Sequence, residues 1–565
     1  MNKRHQYILG LTYFGQHDSC AALIKNGQLI AASEEERFSR IKYDRSFPSQ
    51  SIKFCLNQAG ITINKIDQVG FFWQPWRGVG TRIFKAFRGL PESWNRGGKN
   101  AGILFDLLLA EKIFRQKTGY KGPFHFLDHH LTHAASTFFS SDFEKSAILS
   151  IDGTGETTTC WLGQADNKKF TNYKTTKWPD SLGHFYSMVT QYLGFEVFGG
   201  EYKTMGLSSY GKPEYLDEFR KIIRTDDSGG FKIDLDYTDY QYFKKRWYSY
   251  KWIRKFGPSR LPEENLAERH QNIASSLQAR LEEVILELAS YTLNLSGLEY
   301  LCLTGGVALN SLAVGKLAQR HIAKQIYTNP VSGDSGCALG SAYYINHIML
   351  GKQERHPLVH AYWGASYSNH EIEKILQKYG LKYSTLEDPA QEAARLISQG
   401  QIIGWFQGRS ELGQRALGNR SILADPRNAS IKDKINSKIK NREPFRPFAP
   451  AILKEYQAEY FDCQHSVPFM TEVHPIKKEK QNMIPAVTHV DGTGRFQTVS
   501  QETNPLFWEL INEFRKITGM PLVLNTSFNL NGQPIVDSPY DAADTFLKTG
   551  LDNLIIGRFL VKKVS

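Results

Sequence analysis

The chain has no Walker-type phosphate loop, no G-x-S-x-G elbow and no H-E-x-x-H pair. P-loop NTPases, α/β-hydrolase esterases and zincins are therefore poor matches. Its six cysteines, Cys20, Cys55, Cys160, Cys302, Cys337 and Cys463, contain no C-x-x-C. That spacing argues against a zinc knuckle and fits a reducing, cytoplasmic setting. There is no run of about 18 apolar residues, so no membrane-spanning helix is expected. The opening MNKRHQYILGLTY reads as a first strand, with an apolar run too short and too interrupted for a signal peptide. No long basic block accompanies the net charge of +12. Acidic and basic residues are interspersed, which suits an enzyme handling phosphate-bearing substrates; nucleic acid and membrane are not expected as partners.

At 565 residues the chain is too long for a single core. Composition shifts across 351–369, GKQERHPLVHAYWGASYSN, and divides it into residues 1–355 and 366–565. Both parts alternate strand and helix patterns, which makes the chain α/β, with an α+β character in the C-terminal part.

The stretch 124–163 carries the densest chemistry. A helix opening at Asp128 places His129 and His133 four residues apart on one face, where two imidazoles can grip one ion. The apolar run 147–151 then delivers Asp152 to a strand end, followed by the turn Gly153-Thr154-Gly155-Glu156. A carboxylate beside such a turn completes a metal site or lets phosphate approach the backbone. Three strand–glycine turns, at 7–19, 147–156 and 300–310, come in the order used by actin-like and sugar-kinase-like ATPases; the third contains Gly305 and Gly306. His17 sits on the first turn, where a general base is useful. Arg40 and Lys42, in a charged stretch at 34–48, are placed to reach an anion. Asp334 stands at a helix entry and fits either a ligand or an N-cap.

Several long segments lack clear periodicity. Residues 75–100 read as a loop, with a substrate lid as one use. Residues 198–213 read as a glycine-rich ligand loop, and 226–260 as an aromatic, basic insertion. In the C-terminal part, 408–427 reads as loop. Arg415, Arg420, Arg446 and Arg495 lie among turn residues near Asn525 and Ser527, a set that points to an anion pocket.

These motifs, taken in order, resemble the NodU/CmcH family of O-carbamoyltransferases. The matching stretches are QHDSCAAL, EEERFSRIKYD, DHHLTHAASTFF, DGTGE, GGEYKTMGLSSYGKP, LTGGVALN, NPVSGDSGCALGSA, GRSELGQRALGNRSILADPR, FRPFAP, HVDGTGRFQTV and LNTSFN. The resemblance implies a Kae1-like domain of actin-like, ribonuclease-H-like type over 1–355 and a YrdC-like domain over 366–565. It implies that the second makes carbamoyl adenylate from ATP and carbamoyl phosphate, with Mg available to the nucleotide. The first would then move the carbamoyl group to a hydroxyl of a small molecule or glycan. By the same resemblance His129, His133, Asp152 and Asp334 hold a divalent metal, Fe(II) in relatives, with Mn or Zn also suited to two His and two Asp. His17 is the base; Lys42, Asp152, Gly305 and Gly306 meet the adenylate. Arg415 and Asn525 meet carbamoyl phosphate, Arg446, Arg495 and Ser527 meet ATP, and relatives point to a homodimer. Two alternatives stand beside it: a threonylcarbamoyl-type tRNA-modifying fusion, against which QHDSCAAL and GRSELGQRALGNRS argue, and a nucleotide-dependent binding protein, against which His17 and the His pair argue.

Overall fold

A computed structural model describes residues 5–15, 18–80, 84, 88 and 102–563. The protein is mixed α/β and separates into two compact units. The first comprises Met1–Glu35 and Arg45–Pro357; the second comprises Glu36–Asp44 and Leu358–Ser565.

The first unit contains two five-stranded sheets built alike. In one, Tyr7–Thr12 is flanked by the antiparallel Cys20–Lys25, then Gln28–Glu34, and on its other side by the parallel Gln68–Phe71, then Phe124–Phe126. In the other, Lys145–Ile151 has the antiparallel Thr158–Asp166 and Phe170–Lys177 on one side. The parallel Tyr300–Thr304 and Gln325–Tyr327 lie on the other. Each sheet thus takes one central strand, two antiparallel neighbours and two parallel crossovers. The central strands read as continuous apolar runs because both their faces are covered; Ala147, Ile148, Leu149 and Ile151 are fully buried. The turn Asn26-Gly27, with φ of 51° and 86°, closes the first hairpin as the Asn-Gly signal requires.

One segment differs from its sequence reading, and another packs as read. Within 198–213, Glu201–Ser208 is helical. Glu201 turns back to accept the backbone N–H groups of Phe198 and Gly199 at 2.9 and 2.8 Å, so a helix starts where glycines masked its periodicity. Residues 226–260 pack as an insertion: Trp252, fully buried, is ringed by Phe185, Phe219 and Phe256. Most of the proposed lid at 75–100 lies outside the described residues.

His347 of the first unit is 2% exposed, stacks on Phe139 at 4.2 Å and donates through Nδ1 to the Lys352 carbonyl at 2.8 Å. Burial pushes its pKa down to about 4, against the lesser upward pull of that hydrogen bond. Between pH 6.5 and 4 the unfolded chain binds this proton and the folded one does not, so stability falls as pH falls through that window. The full swing is about 3 kcal/mol. Urea unfolding from pH 7 to 4.5 should show that loss, and His347→Gln should flatten the slope by up to one proton; an unaltered slope would refute it.

The second unit centres on an eight-stranded mixed sheet in the order Tyr383–Thr385, Phe559–Lys562, Asn553–Ile556, Ile403–Phe406, Arg420–Ala424, Leu522–Ser527, Ala449–Leu453, Gln497–Val499. Helices Pro389–Ser398, Pro505–Thr518 and Pro539–Lys548 each begin with Pro behind an Asp, Asn or Ser N-cap, which fixes their starts locally. A separate hairpin pairs Val473–Pro475 with Thr493–Arg495. The strand Arg420–Ala424 lies inside the segment read as loop. The side chain of Arg420 is fully buried, donates to the carbonyls of Gln407 and Ala365 at 2.6 and 3.0 Å, and covers the Phe406 ring at 3.7 Å. It is a structural residue with its donors already engaged by the backbone, which corrects its assignment to the anion pocket.

Candidate functional site

In the first unit, helix His129–Ser140 starts where Asp128 caps the Leu131 N–H at 3.1 Å. The helix buries nearly every residue, so His129 and His133 point from its inner face with no exposure. Strand Lys145–Ile151 ends at Asp152. The turn carrying Asp334 leads into helix Gly336–Tyr343, which lies on the histidine helix. Gly340 makes this possible, since a Cβ there would stand 1.8 Å from the Thr132 carbonyl oxygen.

Four donor atoms converge as a result. His129 Nε2 is 3.2 Å from His133 Nε2, 3.0 Å from Asp152 Oδ2 and 3.7 Å from Asp334 Oδ1. His133 Nε2 is 3.8 and 3.5 Å from the same two oxygens. All four side chains are buried, and their donor atoms lie within 4.8 Å of one another. A tetrahedron with metal–ligand bonds of about 2.0–2.1 Å has edges of about 3.3 Å. The spread of distances brackets that value, so the donor set fits a single divalent ion. Burial pushes the Asp152 carboxyl up, but the hydrogen bonds and charges of His129 and His133 outweigh it and hold it well below the usual carboxylate range.

The surrounding groups fix this cage. Asp152 Oδ1 accepts the Gly306 N–H at 2.8 Å, which turns Oδ2 toward the imidazoles. Gly305, at φ of 88°, brings its backbone to where a Cβ would be 2.2 Å from the Ile151 carbonyl oxygen. His130 is a structural neighbour. Burial, then the charges of His129 and His133, push it down to about 4, and as a neutral ring it bonds Ser150 Oγ at 2.8 Å and the Thr158 carbonyl at 2.9 Å. Glu156 is a participant that sequence reasoning passed over, although it ends the DGTGE turn. Its Oε1 accepts the backbone N–H groups of Gln74 at 2.8 Å and His129 at 3.2 Å, anchoring the helix start. Burial first, and Asp128 second, push its pKa up to about 7. His17 lies outside the described residues.

The second unit holds a cluster of opposite sign. Burial, followed by the charges of Arg415, Arg442 and Arg446, pushes the Arg495 guanidinium well below its ordinary value, and its Nε is buried with no hydrogen-bond partner among the described residues. Glu411 shapes the loop carrying Arg415 by accepting the N–H groups of Leu417 and Asn419, both at 2.8 Å. Asn525 is buried on the neighbouring strand, donating to Gln497 Oε1 and the Ala416 carbonyl at 3.3 Å; its Oδ1 has no hydrogen-bond partner among the described residues. Arg446 is 3.5 Å from Glu443. Ser527 Oγ donates to Asn529 at 2.7 Å, in a turn held by buried Lys440, whose Nζ reaches Asn529 Oδ1 at 2.6 Å. Arg442 and Lys440 were not singled out from sequence; the run KIKNREPFRPF was the available signal. Lys42 belongs to this unit, with Nζ 2.9 Å from Glu36 Oε1.

Residues 7–343 match the family model described as carbamoyltransferase N-terminus, and residues 394–563 match carbamoyltransferase C-terminus. The chain belongs to the carbamoyltransferase family. It is 39% identical to the nodulation protein NolNO of Sinorhizobium fredii, over 100% of this chain and 81% of that protein. To NolO of Bradyrhizobium diazoefficiens it is 40% identical over 77% of this chain and 79% of that one. The Synechocystis protein sll1178 is 37% identical, over 99% and 97%. The enzyme is a carbamoyltransferase, and the resemblance read from its motifs holds. No helix among the described residues is long and apolar enough to cross a membrane.

Proposed function

We propose that this carbamoyltransferase is ATP-dependent and works in two stages, one per unit. In the second unit, read as YrdC-like over 366–565, ATP, carbamoyl phosphate and one water give carbamoyl adenylate, pyrophosphate and phosphate. In the first, read as Kae1-like and actin-like over 1–355, the carbamoyl group passes to a hydroxyl of a small molecule or glycan and AMP leaves. The observation that carries the reading is the pair of sites of opposite sign: a buried His–Asp cage in one unit and a crowded guanidinium cluster in the other.

Arg415, Arg442 and Arg446 act unfavourably on the buried Arg495 guanidinium, and a polyphosphate relieves that repulsion. Arg446, Arg495 and Ser527 serve ATP, with Mg on its phosphates. Arg415 takes the phosphate of carbamoyl phosphate, and the unpaired Asn525 Oδ1 accepts from the carbamoyl NH2. In the first unit His129, His133, Asp152 and Asp334 would hold the ion, Fe(II) by family resemblance. The ion supplies Lewis acidity toward the carbamoyl adenylate. Gly305 and Gly306 give close backbone approach for the adenylate. His17 takes the proton from the acceptor hydroxyl. The duplicated sheet order supports the actin-like reading, and the free cysteines support action in the cytoplasm.

The test is to incubate the full chain with ATP and carbamoyl phosphate and follow pyrophosphate, then add a panel of polyhydroxylated acceptors and follow AMP. His17→Asn is expected to retain pyrophosphate formation and lose acceptor-dependent AMP release. Pyrophosphate formation that does not require carbamoyl phosphate would overturn the scheme.

A further inference from the structure

The second unit contains another convergence of ligating side chains, in the stretch 463–474, far in sequence from the cage and outside the guanidinium set. Cys463 Sγ lies 3.7 Å from His465 Nδ1 and 3.8 Å from its Nε2, and one donor atom from each of Cys463, His465 and His474 falls within a 4.8 Å group. Behind the imidazoles, a single oxygen of buried Glu472 accepts from His465 Nε2 at 2.8 Å and His474 Nε2 at 2.7 Å. We propose that Cys463, His465 and His474 bind one borderline divalent ion such as zinc, with Glu472 orienting both rings.

The proton inventory favours an ion over a plain hydrogen-bonded cluster. With both Nε2–H groups directed to Glu472, Nδ1 is the nitrogen that each ring has left for an ion. The Cys463 thiol directs its proton to the His465 carbonyl at 3.3 Å. His474 Nδ1 is buried and has no hydrogen-bond partner among the described residues. A buried ring nitrogen left without a partner is unfavourable whether or not it carries a proton. A cation that takes the thiolate and both Nδ1 lone pairs satisfies all three. A tetrahedral zinc site has sulfur–nitrogen edges of about 3.6 Å, which the 3.7 Å separation matches. A ligand ring that donates its other N–H to a carboxylate is the usual second layer of such a site. Cys463 and His474 are 5% and 2% exposed, whereas the His465 side chain is 40% exposed, so the ion can enter and find water for its fourth position on that side.

The location gives the ion a task. His474 pairs with Gly494, and Val473 with Arg495, in the hairpin that carries Arg495. Phe461, two residues before Cys463, stacks on Phe496 at 4.0 Å. An ion here fastens the hairpin to the loop at 461–465 and fixes the strand from which Arg495 projects. The site stands whether or not Arg495 binds ATP.

The untagged full chain should be stripped with chelator and titrated with Zn2+ and with Co2+. In a His129→Ala/His133→Ala variant, which lacks the first cage, one equivalent is expected to remain. Co2+ should give a thiolate charge-transfer band, Cys463→Ser should abolish band and uptake, and Glu472→Gln should keep the band with affinity lowered about 10- to 100-fold. Independently of those variants, Zn2+ should protect Cys463 of the wild-type chain from alkylation, read peptide by peptide by mass spectrometry. Absence of uptake in the cage variant, uptake unchanged by Cys463→Ser, or equal alkylation of Cys463 with and without Zn2+ would each overturn the proposal.

Discussion

His133→Gln is expected to strip the ion from the first unit and lower carbamoyl transfer by about 1,000-fold or more. A Lewis acid at a reacting carbonyl is worth several kcal/mol, and about 4 kcal/mol corresponds to three orders of magnitude in rate. His133 is the better probe of the pair, because His129 also packs against Trp73 and Phe72 at ring distances of 5.1 and 5.6 Å and its truncation leaves a cavity. Gln keeps much of the volume of His and offers a weaker, differently placed donor to the ion. The electrostatics supply a second readout. The cage holds two carboxylates and two imidazoles with no exposure of either ring. In the ion-free protein, burial pulls the His133 pKa down, but Cys337, Asp152 and Asp334 outweigh it and raise it well above its ordinary value. Ion uptake must therefore expel protons, and affinity should strengthen as pH rises. Wild-type protein should release more protons on metal addition than the variant, which keeps only the Cys463 site. Full transfer activity in His133→Gln carrying no metal would remove the cage from the mechanism.

Arg495→Met is expected to cut pyrophosphate formation by about 100- to 1,000-fold, the range seen when one charged or preorganised donor is removed from an active site. The same change should raise the melting temperature of the ligand-free protein. Arg495 shares its surroundings with Arg415, Arg442 and Arg446, and their repulsion together with burial is what depresses its pKa. Removing one buried charge from such a set relieves the ligand-free state, and Met fills the volume of the aliphatic stem. ATP with carbamoyl phosphate should then stabilise the wild-type protein against heat far more than the variant. A purely structural arginine behaves in the opposite way: Arg420, bonded to the carbonyls of Gln407 and Ala365, should lower the melting temperature when replaced. Differential scanning fluorimetry with and without the two ligands separates the cases. A lower ligand-free melting temperature for Arg495→Met would count against a functional cluster.

Much of the first site was readable in the chain. An i, i+4 His pair behind an Asp cap, and an Asp at the end of a fully apolar strand, are local patterns, because caps and periodicity depend on residues a few positions apart. Asp334 could not be distinguished from a helix cap by such means. Its arrival beside His129 depends on Leu301 pairing with Ala147 and on Gly340 letting two helices touch, both long-range events. Glu156 was visible as the last residue of its turn, but its contact with the His129 N–H required the strand and the helix to be brought together. In the second unit the wealth of arginine was evident and its division of labour was not. Arg420 and Arg415 stand five residues apart in a segment that reads as loop throughout; one is sealed against the Phe406 ring and backbone carbonyls and the other joins the cluster. Cys463, His465 and His474 follow no familiar ligand spacing, so only folding reveals that they converge.

The amino-acid sequence determined many strand and helix starts, the carbamoyltransferase motifs and the His129, His133 and Asp152 groups of the cage, since each is written within short windows by periodicity, caps and residue type; Asp334 joined them by family resemblance. Tertiary structure decided which charges face one another, that Glu36–Asp44 belongs with the second unit, and which arginine is structural. Those outcomes rest on pairing between segments tens to hundreds of residues apart, where burial and the field of neighbouring charges, set only after the chain has closed on itself, fix what a side chain can do.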